Sequence, residues 1–342
     1  SGAVWRSNRG EKGLTVKNQT RNLLLAGAFV VAAGAVPVLG SVYIVFLANM
    51  IMMYMVLAIG LDILLGRAGQ FAFAHTAFFG IGIYSTALIN NATGLPFYIT
   101  IPIGAALAGL IGFIIALPTT RLKHLYLGLA TFAFAEVAQW VFNNWAEVTG
   151  GANGLRFKPS NTGFGEITND LEAYPFVVLI TLVMIWIARN LERSRLGRSM
   201  EAIKESEHAA IASGISVNRT KAIAFTISAV YAGVAGGMFT LFQSYVHPDV
   251  LGFDTLVLVL SMIVIGGIGT LPGVIIGVVL LGLLPEVMRG LETYQELIYG
   301  VILIGVLTFM PRGIWGRLSS YLETIPSSKT YDQVAASQEE KS

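Results

Sequence analysis

The chain of 342 residues contains no cysteine and few charged residues. Without cysteine it has no disulfide, no thiol nucleophile and no cysteine-ligated metal site. Charged residues make up 12% of the chain, about half of the roughly 25% that is usual in soluble domains, and this argues against a water-soluble fold. The net charge of +2 is too small for a nucleic-acid-binding surface, so nucleic acid is not expected as a partner.

The motifs of common enzyme classes are also missing. The sequence has neither a Gly-x-x-x-x-Gly-Lys-Ser/Thr phosphate loop nor the Gly-x-Ser-x-Gly turn of serine hydrolases. Its four histidines show no metal-ligand spacing. We therefore predict that this chain has no catalytic residue, no metal site and no bound cofactor, and that it does not hydrolyse a nucleotide by itself.

Apolar sequence is abundant, because 54% of the residues are hydrophobic. Runs of about 20 apolar residues, each long enough to cross about 30 Å of hydrocarbon, recur along the chain. They predict an all-α, polytopic membrane protein with about ten transmembrane or re-entrant segments. The predicted segments are 23–39, 43–65, 71–89, 98–117, 125–142, 174–188, 222–242, 256–268, 271–284 and 298–309.

The Lys and Arg residues predict the orientation of these segments. If the N-terminus is cytoplasmic, 19 of the 22 basic residues lie on the cytoplasmic side, and only Arg156, Lys158 and Arg289 lie outside. Cytoplasmic loops of membrane proteins carry an excess of basic residues. The distribution therefore predicts an even number of spans, with both termini in the cytoplasm.

This orientation divides the chain into three regions. We predict a cytoplasmic N-terminal arm (1–22), a transmembrane domain (23–315) and a cytoplasmic, mobile tail (316–342). Within the transmembrane domain, 144–172 is predicted as an external loop. The segment 190–221 is predicted as a cytoplasmic region with an amphipathic helix, because apolar and charged residues alternate there at helical spacing.

Polar side chains inside the predicted membrane segments are candidates for a substrate path, because a charge at the centre of a membrane helix costs about 2.5 to 3.5 kcal/mol. Glu136, Gln139 and Asn143 share one helical face. This face lines a translocation path, or it forms a hydrogen-bonded seam between helices or subunits. Gln70 and His75 are further path candidates, and His75 equally fits an interhelical hydrogen-bond donor.

Glycines at four-residue intervals allow helix backbones to approach closely. We predict that such glycines mediate helix packing. The predicted packing residues are Gly233, Gly237, Gly269, Gly273 and Gly277.

Several motifs, in family order, resemble the LivM-type permease subunit of bacterial branched-chain amino acid ABC importers. The strongest are GLDILLGRAGQ at 60–70 and HTAFFGIGIY at 75–84, and further matches lie at 125–127, 131–136, 149–155 and 197–214. The resemblance covers about 42–315 and implies that the transmembrane domain (23–315) is a permease domain in the bacterial inner membrane, surrounded by lipid. It also implies partners: a homologous permease, two ATPase subunits that use ATP and Mg²⁺, and a periplasmic solute-binding protein.

In such importers a cytoplasmic helix of the permease docks into a groove on the ATPase, and the resemblance assigns this coupling helix to 198–214. An amphipathic helix with apolar knobs is also a typical helix-in-groove ligand, although a helix lying on the membrane surface is the alternative. We expect Ala202, Ile203 and Ala209 to enter the groove. The matching residues are Arg198, Glu201, Ala202, Ile203, Lys204, Glu205, Ala209, Ala210 and Gly214.

The resemblance implies import of branched-chain or related amino acids by alternating access. The same family serves importers of urea, short amides and small organic acids, and these remain alternatives. An ion-coupled secondary carrier or a membrane-bound enzyme is the alternative of another class. The long charged cytoplasmic helix argues against a carrier, which has no evident need for it.

The predicted topology can be tested with single cysteines, since the chain has none of its own. Thr162→Cys should react with a membrane-impermeant thiol reagent in intact cells, because residue 162 lies in the predicted external loop. Ser327→Cys should react only after the cells are opened. Equal labelling of both variants in intact cells would contradict the topology.

Overall fold

A computed structural model describes residues 41–120, 122, 124–163, 165–287, 300–301, 304–305, 308 and 313–317. Within these residues the protein is a bundle of α-helices with two very short strands, which confirms the all-α membrane fold. The N-terminal arm, the predicted segment 23–39, most of 298–309 and the tail beyond residue 317 lie outside the described residues. The count of about ten spans and the location of the termini therefore remain predictions.

Eleven α-helices have both ends defined between residues 42 and 287. They are α1 (Val42–Asp62), α2 (His75–Thr93), α3 (Phe97–Thr119), α4 (His124–Asn144), α5 (Ala146–Thr149), α6 (Asp170–Arg193), α7 (Arg195–Glu205), α8 (Glu207–Ala212), α9 (Val217–Phe242), α10 (Phe253–Gly266) and α11 (Leu271–Val287). A π-helical turn, Ile63–Arg67, extends α1, and 3₁₀ turns form at Gly151–Asn153 and Pro248–Leu251. Each predicted segment between 43 and 284 thus coincides with a helix.

Four of the described helical segments are long and apolar enough to cross a membrane, and these are Val42–Arg67, Phe97–Thr119, Asp170–Arg193 and Val217–Phe242. By contrast, α10 has only 14 residues and is about 21 Å long. It is too short to cross the hydrocarbon core alone, as its sequence predicted. Following the predicted orientation, we call the side that holds α7 and α8 the inner side.

The centre of the bundle is α9, which packs against α1, α2 and α3. Its glycines bring the backbones together. A Cβ atom on Gly233 would lie 2.7 Å from the Cβ of Ala108 in α3, and one on Gly236 would lie 2.6 Å from the backbone nitrogen of Ile83 in α2. Gly237 packs in the same way against a side chain of α3, Ile101. Close contact between backbones is the main source of helix association in a bilayer, where apolar side chains gain little by leaving lipid.

The helices α10 and α11 form an antiparallel pair that also depends on glycine. A Cβ atom on Gly273 would lie 2.8 Å from the carbonyl oxygen of Gly266, and one on Gly277 would lie 2.9 Å from the Cα of Gly266. Gly269 also approaches another backbone closely, since a Cβ atom there would lie 2.9 Å from the carbonyl oxygen of Gly66, but it is not in a helix. It lies in the turn between the two helices with φ +81°, a left-handed conformation that favours glycine.

The predicted external loop contains α5, a 3₁₀ turn and β1 (Leu155–Arg156), which pairs antiparallel with β2 (Tyr245–Val246). Side chains fasten this region to the helix ends. Asn90 donates to the carbonyl oxygen of Lys158 at 3.0 Å, and Ser160 donates to that of Thr240 at 3.0 Å. The region is therefore an ordered cap over the outer ends of α2 and α9.

The glycine contacts of α9 predict a stability effect. Gly236→Val should lower the thermal unfolding temperature of the detergent-purified protein, because overpacking a tight contact costs about 1–3 kcal/mol. Gly165→Val is the matched control, since a Cβ atom at Gly165 meets nothing within 4 Å. Equal unfolding temperatures for the two variants would contradict the packing role of Gly236.

Candidate functional site

One face of α4 is exposed along its length and carries a carboxylate in its middle third. The exposed residues recur at intervals of three and four and therefore form a stripe. They are Tyr126, Leu129, Ala133, Glu136, Val137 and Trp140. Because lipid cannot solvate a carboxylate, this stripe must meet water or another protein around Glu136.

The start of α10 lies against the same region of α4. The rings of Phe253 and Phe132 make an edge-to-face contact with centroids 5.8 Å apart. A Cβ atom on Gly252 would lie 3.3 Å from Nε2 of Gln139. Glu136 is four residues after Phe132 and three before Gln139, so it lies on the face of α4 that meets the start of α10. α10 therefore begins beside the middle of α4.

This arrangement adds an acidic residue that the sequence analysis missed. Asp254 is exposed in the first turn of α10. It stands just before the apolar segment predicted at 256–268 and therefore outside every predicted membrane segment. One sequence signal could have identified Asp254. It is a carboxylate directly before a segment too short to span the membrane, and such segments begin inside the membrane.

Aromatic side chains lie on the segments that carry the two carboxylates and on the segment that precedes α2. Phe73 contacts Phe132 edge to face, with centroids 6.4 Å apart, and the backbone N–H of Phe73 donates to Thr131 at 3.0 Å. Phe71, on the same non-helical segment between the π-helical turn and α2, is half exposed. We call the surface formed by these groups the acidic face. Its members are Phe71, Phe132, Glu136, Trp140, Phe253 and Asp254.

Two of the predicted path residues lie elsewhere, in the bundle interior. Gln70 is buried and donates to the carbonyl oxygen of Lys221 at 3.1 Å. His75 is 2% exposed. Its Nε2 lies 2.8 Å from the carbonyl oxygen of Leu57, and its Nδ1 lies 3.1 Å from Oγ of Ser228. This placement favours the alternative interpretation of His75, an interhelical hydrogen-bond donor.

The other predicted path residues on α4 keep their common face. Gln139 and Asn143 are both half-buried, towards the outer side of Glu136. They line the edge of the acidic face where α4 meets the start of α10. In the described part of the chain, no group of three His, Asp or Glu side chains is placed to hold a metal ion.

The predicted coupling region forms two helices rather than one. Ser194 caps α7 by accepting from the N–H of Gly197 at 3.1 Å, and Ser206 caps α8 by accepting from the N–H of Ala209 at 3.3 Å. A serine side chain that binds the N–H groups of a first turn starts a new helix. The chain therefore breaks at Ser206.

The inward side of these two helices packs on the chain's own bundle. Met200, Ile203 and Ala210 are all buried, and Ile203 is only 3% exposed. Ile203 is therefore not available to a partner's groove, contrary to the expectation from sequence. The exposed apolar side chain is Ile211 on α8, which is 58% exposed. Periodicity showed that one helical face is apolar but did not show which apolar residues the bundle covers.

The remaining coupling residues are mostly on the outward side. Ala202 is half-buried. Lys204 is exposed as a residue, while its ammonium donates to the carbonyl oxygen of Gly66 at 2.6 Å. The other coupling residues are also exposed in this chain, and they are Arg198, Glu201, Glu205, Ala209 and Gly214. An apolar side chain surrounded by charged ones is a suitable surface for docking another protein.

Comparison with known proteins identifies the family. Residues 43–307 match the family described as branched-chain amino acid transport system / permease component. The chain belongs to this family. It is accordingly a multi-pass membrane permease, a transport component rather than an enzyme.

Individual relatives agree with this assignment. The chain is 34% identical over 301 residues to the high-affinity branched-chain amino acid transport system permease protein LivM of Escherichia coli K12, a match that covers 81% of this chain and 70% of the relative. It is 29% identical over 251 residues to LivH of Salmonella typhimurium, covering 67% and 79%. A probable LivM of Methanocaldococcus jannaschii is 26% identical over 223 residues, covering 59% and 63%. No solved structure matches the chain significantly.

Proposed function

We propose that this chain is the permease subunit of an ATP-driven ABC importer in the bacterial inner membrane, and that it moves branched-chain or related amino acids by alternating access. Membership of the permease family carries the proposal. Relatives named LivM and LivH are both permease proteins of branched-chain amino acid transport systems, which supports a heterodimer with a homologous permease. Two ATPase subunits, using ATP and Mg²⁺, and a periplasmic solute-binding protein complete the importer.

The acidic face is the proposed lining of the translocation path. Its two carboxylates, Glu136 and Asp254, lie at the predicted depth of the membrane, where contact between a charge and lipid is energetically unfavourable. A water-filled path between two permeases removes that cost. Such a path also explains why α10 begins inside the membrane, since non-helical backbone at this depth is tolerated where it lines an aqueous cavity.

The charge of this face also bears on the substrate. An amino acid carries an ammonium group, which carboxylates attract, and its apolar side chain suits aromatic neighbours such as Phe253. A small organic acid would be repelled by the same carboxylates. Among the substrates open to the family, the acidic face therefore favours amino acids over anionic acids.

The proposed mechanism links α8 to this path. ATP brings the two ATPases together, α7 and α8 follow this movement, and the permease pair opens outward to accept solute from the binding protein. An ion-coupled carrier would not need a docking surface such as the one around Ile211. Transport that continues with inactive ATPases would favour a carrier instead.

ATPase docking predicts the effect of a charge at Ile211. Ile211→Glu should abolish co-purification of the ATPase subunits and stop uptake, because an unpaired charge buried in an apolar groove costs several kcal/mol. Ile211→Leu is the matched control and should retain both. The measurement is recovery of ATPases with tagged permease at equal expression. Undiminished recovery with Ile211→Glu would count against docking through α8.

The proposed path predicts an effect at Glu136 without loss of assembly. Glu136→Gln keeps size and hydrogen bonding but removes the charge, so uptake of radiolabelled leucine should fall about tenfold, the effect of losing roughly 1.4 kcal/mol of favourable interaction. ATPase recovery should stay at the wild-type level. Glu147→Gln, an exposed carboxylate in α5 outside the membrane, is the control. Wild-type uptake with Glu136→Gln would favour the subunit seam.

A further inference from the structure

Three separate parts of the chain converge on the π-helical turn at the inner end of α1. They are α7, the turn between α10 and α11, and the inner end of α6. Each makes a polar contact with the segment from Asp62 to Arg67. π-helical turns inside α-helices often occur at functional sites. The contacts of this junction therefore indicate what role it has.

The contact from α7 is made by Lys204. Its ammonium donates to the carbonyl oxygen of Gly66 at 2.6 Å, and its stem packs beside Gly69, where a Cβ atom would lie 3.3 Å from the Cγ of Lys204. The carbonyl groups at the last turn of a helix lack donors within the helix, and that end carries partial negative charge. The ammonium group of Lys204 supplies both a hydrogen-bond donor and a positive charge at this helix end.

The contact from the α10–α11 turn is made by backbone. The N–H of Gly269 donates to Oδ1 of Asp62 at 2.7 Å, and Asp62 is buried. A Cβ atom on Gly66 would lie 2.6 Å from the nitrogen of Gly269. A Cβ atom on Gly269 would lie 2.9 Å from the oxygen of Gly66 and 3.4 Å from Nζ of Lys204. Lys204 therefore lies close to both the π-helical turn and the α10–α11 turn.

The contact from α6 is an ion pair. Arg67 pairs with Glu192, and Nε of Arg67 lies 4.0 Å from Oδ2 of Asp62. α7 follows α6 directly, after Ser194. The coupling region is therefore held to the π-helical turn at two places, through the end of α6 and through Lys204.

We infer that Lys204 is a positioning residue that ties α7 to the inner end of α1 and to the α10–α11 turn, so that movement of the coupling helices reaches the membrane helices. This differs from the interpretation that the sequence favoured, in which Lys204 contacts the ATPase. The inference rests on the proposed function. It concerns how movement is transmitted once the ATPase is bound, whereas docking of the ATPase is proposed to occur through α8.

The geometry gives this tie a specific consequence for the path. α10 runs from the inner junction to the acidic face, where its first turn carries Asp254. Close backbone contacts make α10 and α11 one unit. A displacement of α7 that is passed through Lys204 to Gly66 and Gly269 therefore moves the helix that carries Asp254.

The test replaces Lys204 by an apolar side chain of similar length. Lys204→Met should leave expression and ATPase recovery at wild-type levels while uptake falls about tenfold or more, within the usual range of coupling energies between sites. Stimulation of ATP hydrolysis by the solute-binding protein should be lost in reconstituted complexes. Arg195→Met, an exposed basic residue on the same helix, is the matched control and should keep uptake.

Two outcomes would overturn the inference. Loss of the ATPases from Lys204→Met, with wild type retaining them, would make Lys204 a docking residue. Unchanged uptake would make the contact dispensable. Failure of the wild-type chain to retain ATPases would instead contradict the proposed function, so the two failures are distinguishable.

A cysteine pair supplies a second, independent measurement. A Cβ atom on Gly69 would lie 3.4 Å from the Cβ of Lys204, close to the Cβ separation of about 3.8 Å in disulfides. Gly69 has φ +64°, a conformation that favours glycine, so Gly69→Cys alone is the control for backbone strain. In the Gly69→Cys, Lys204→Cys variant, uptake should be lower than in this control when reduced and should rise several-fold on oxidation, because a covalent tie replaces the lysine. A quantitatively oxidised variant whose uptake stays low would contradict the tie.

Discussion

A polar group inside a bilayer has no water to bind, and this constraint explains where the polar side chains of the bundle lie. His75 uses both ring nitrogens, one with a carbonyl of α1 and one with a serine of α9. Asp62 accepts from a backbone N–H at the inner junction. Glu136 has an exposed position at mid-helix instead. His75 and Asp62 satisfy the constraint within the chain and are structural, whereas the exposed Glu136 points to a surface completed by something else.

Glycine decides how closely the helices approach, and the inner junction depends on this closeness. The carbonyl of Gly66 is within reach of Lys204, and the N–H of Gly269 is within reach of Asp62, because neither glycine carries a Cβ atom. A side chain at either glycine would separate the turns and break both hydrogen bonds. The junction is thus a consequence of backbone packing, with polar contacts added where carbonyl and N–H groups would otherwise lack partners.

The helices could be predicted from sequence because apolar length and composition determine them locally. The site could be predicted only in part, because exposure depends on neighbours distant in sequence. Ile203 and Ile211 look alike in periodicity, yet the bundle covers the first and leaves the second open. Gln70 was predicted to line the path, but its side chain donates to a backbone carbonyl of α9 in the bundle interior. The position of Asp254 near Glu136 follows from the aromatic contact between Phe253 and Phe132, which places the start of α10 beside the middle of α4.

The two surfaces left open have opposite chemistry, and together they distinguish a subunit from a self-sufficient carrier. At the predicted depth of the membrane, the acidic face exposes carboxylates that lipid would solvate poorly. On the inner side, Ile211 exposes an apolar side chain where water would surround it. Each exposure is unfavourable for an isolated chain, and in the proposed importer a partner would relieve it: a second permease across the path, and an ATPase beneath α8. A carrier that works alone has no reason to keep both, so the same physical argument that supports the proposed path also favours the proposed assembly.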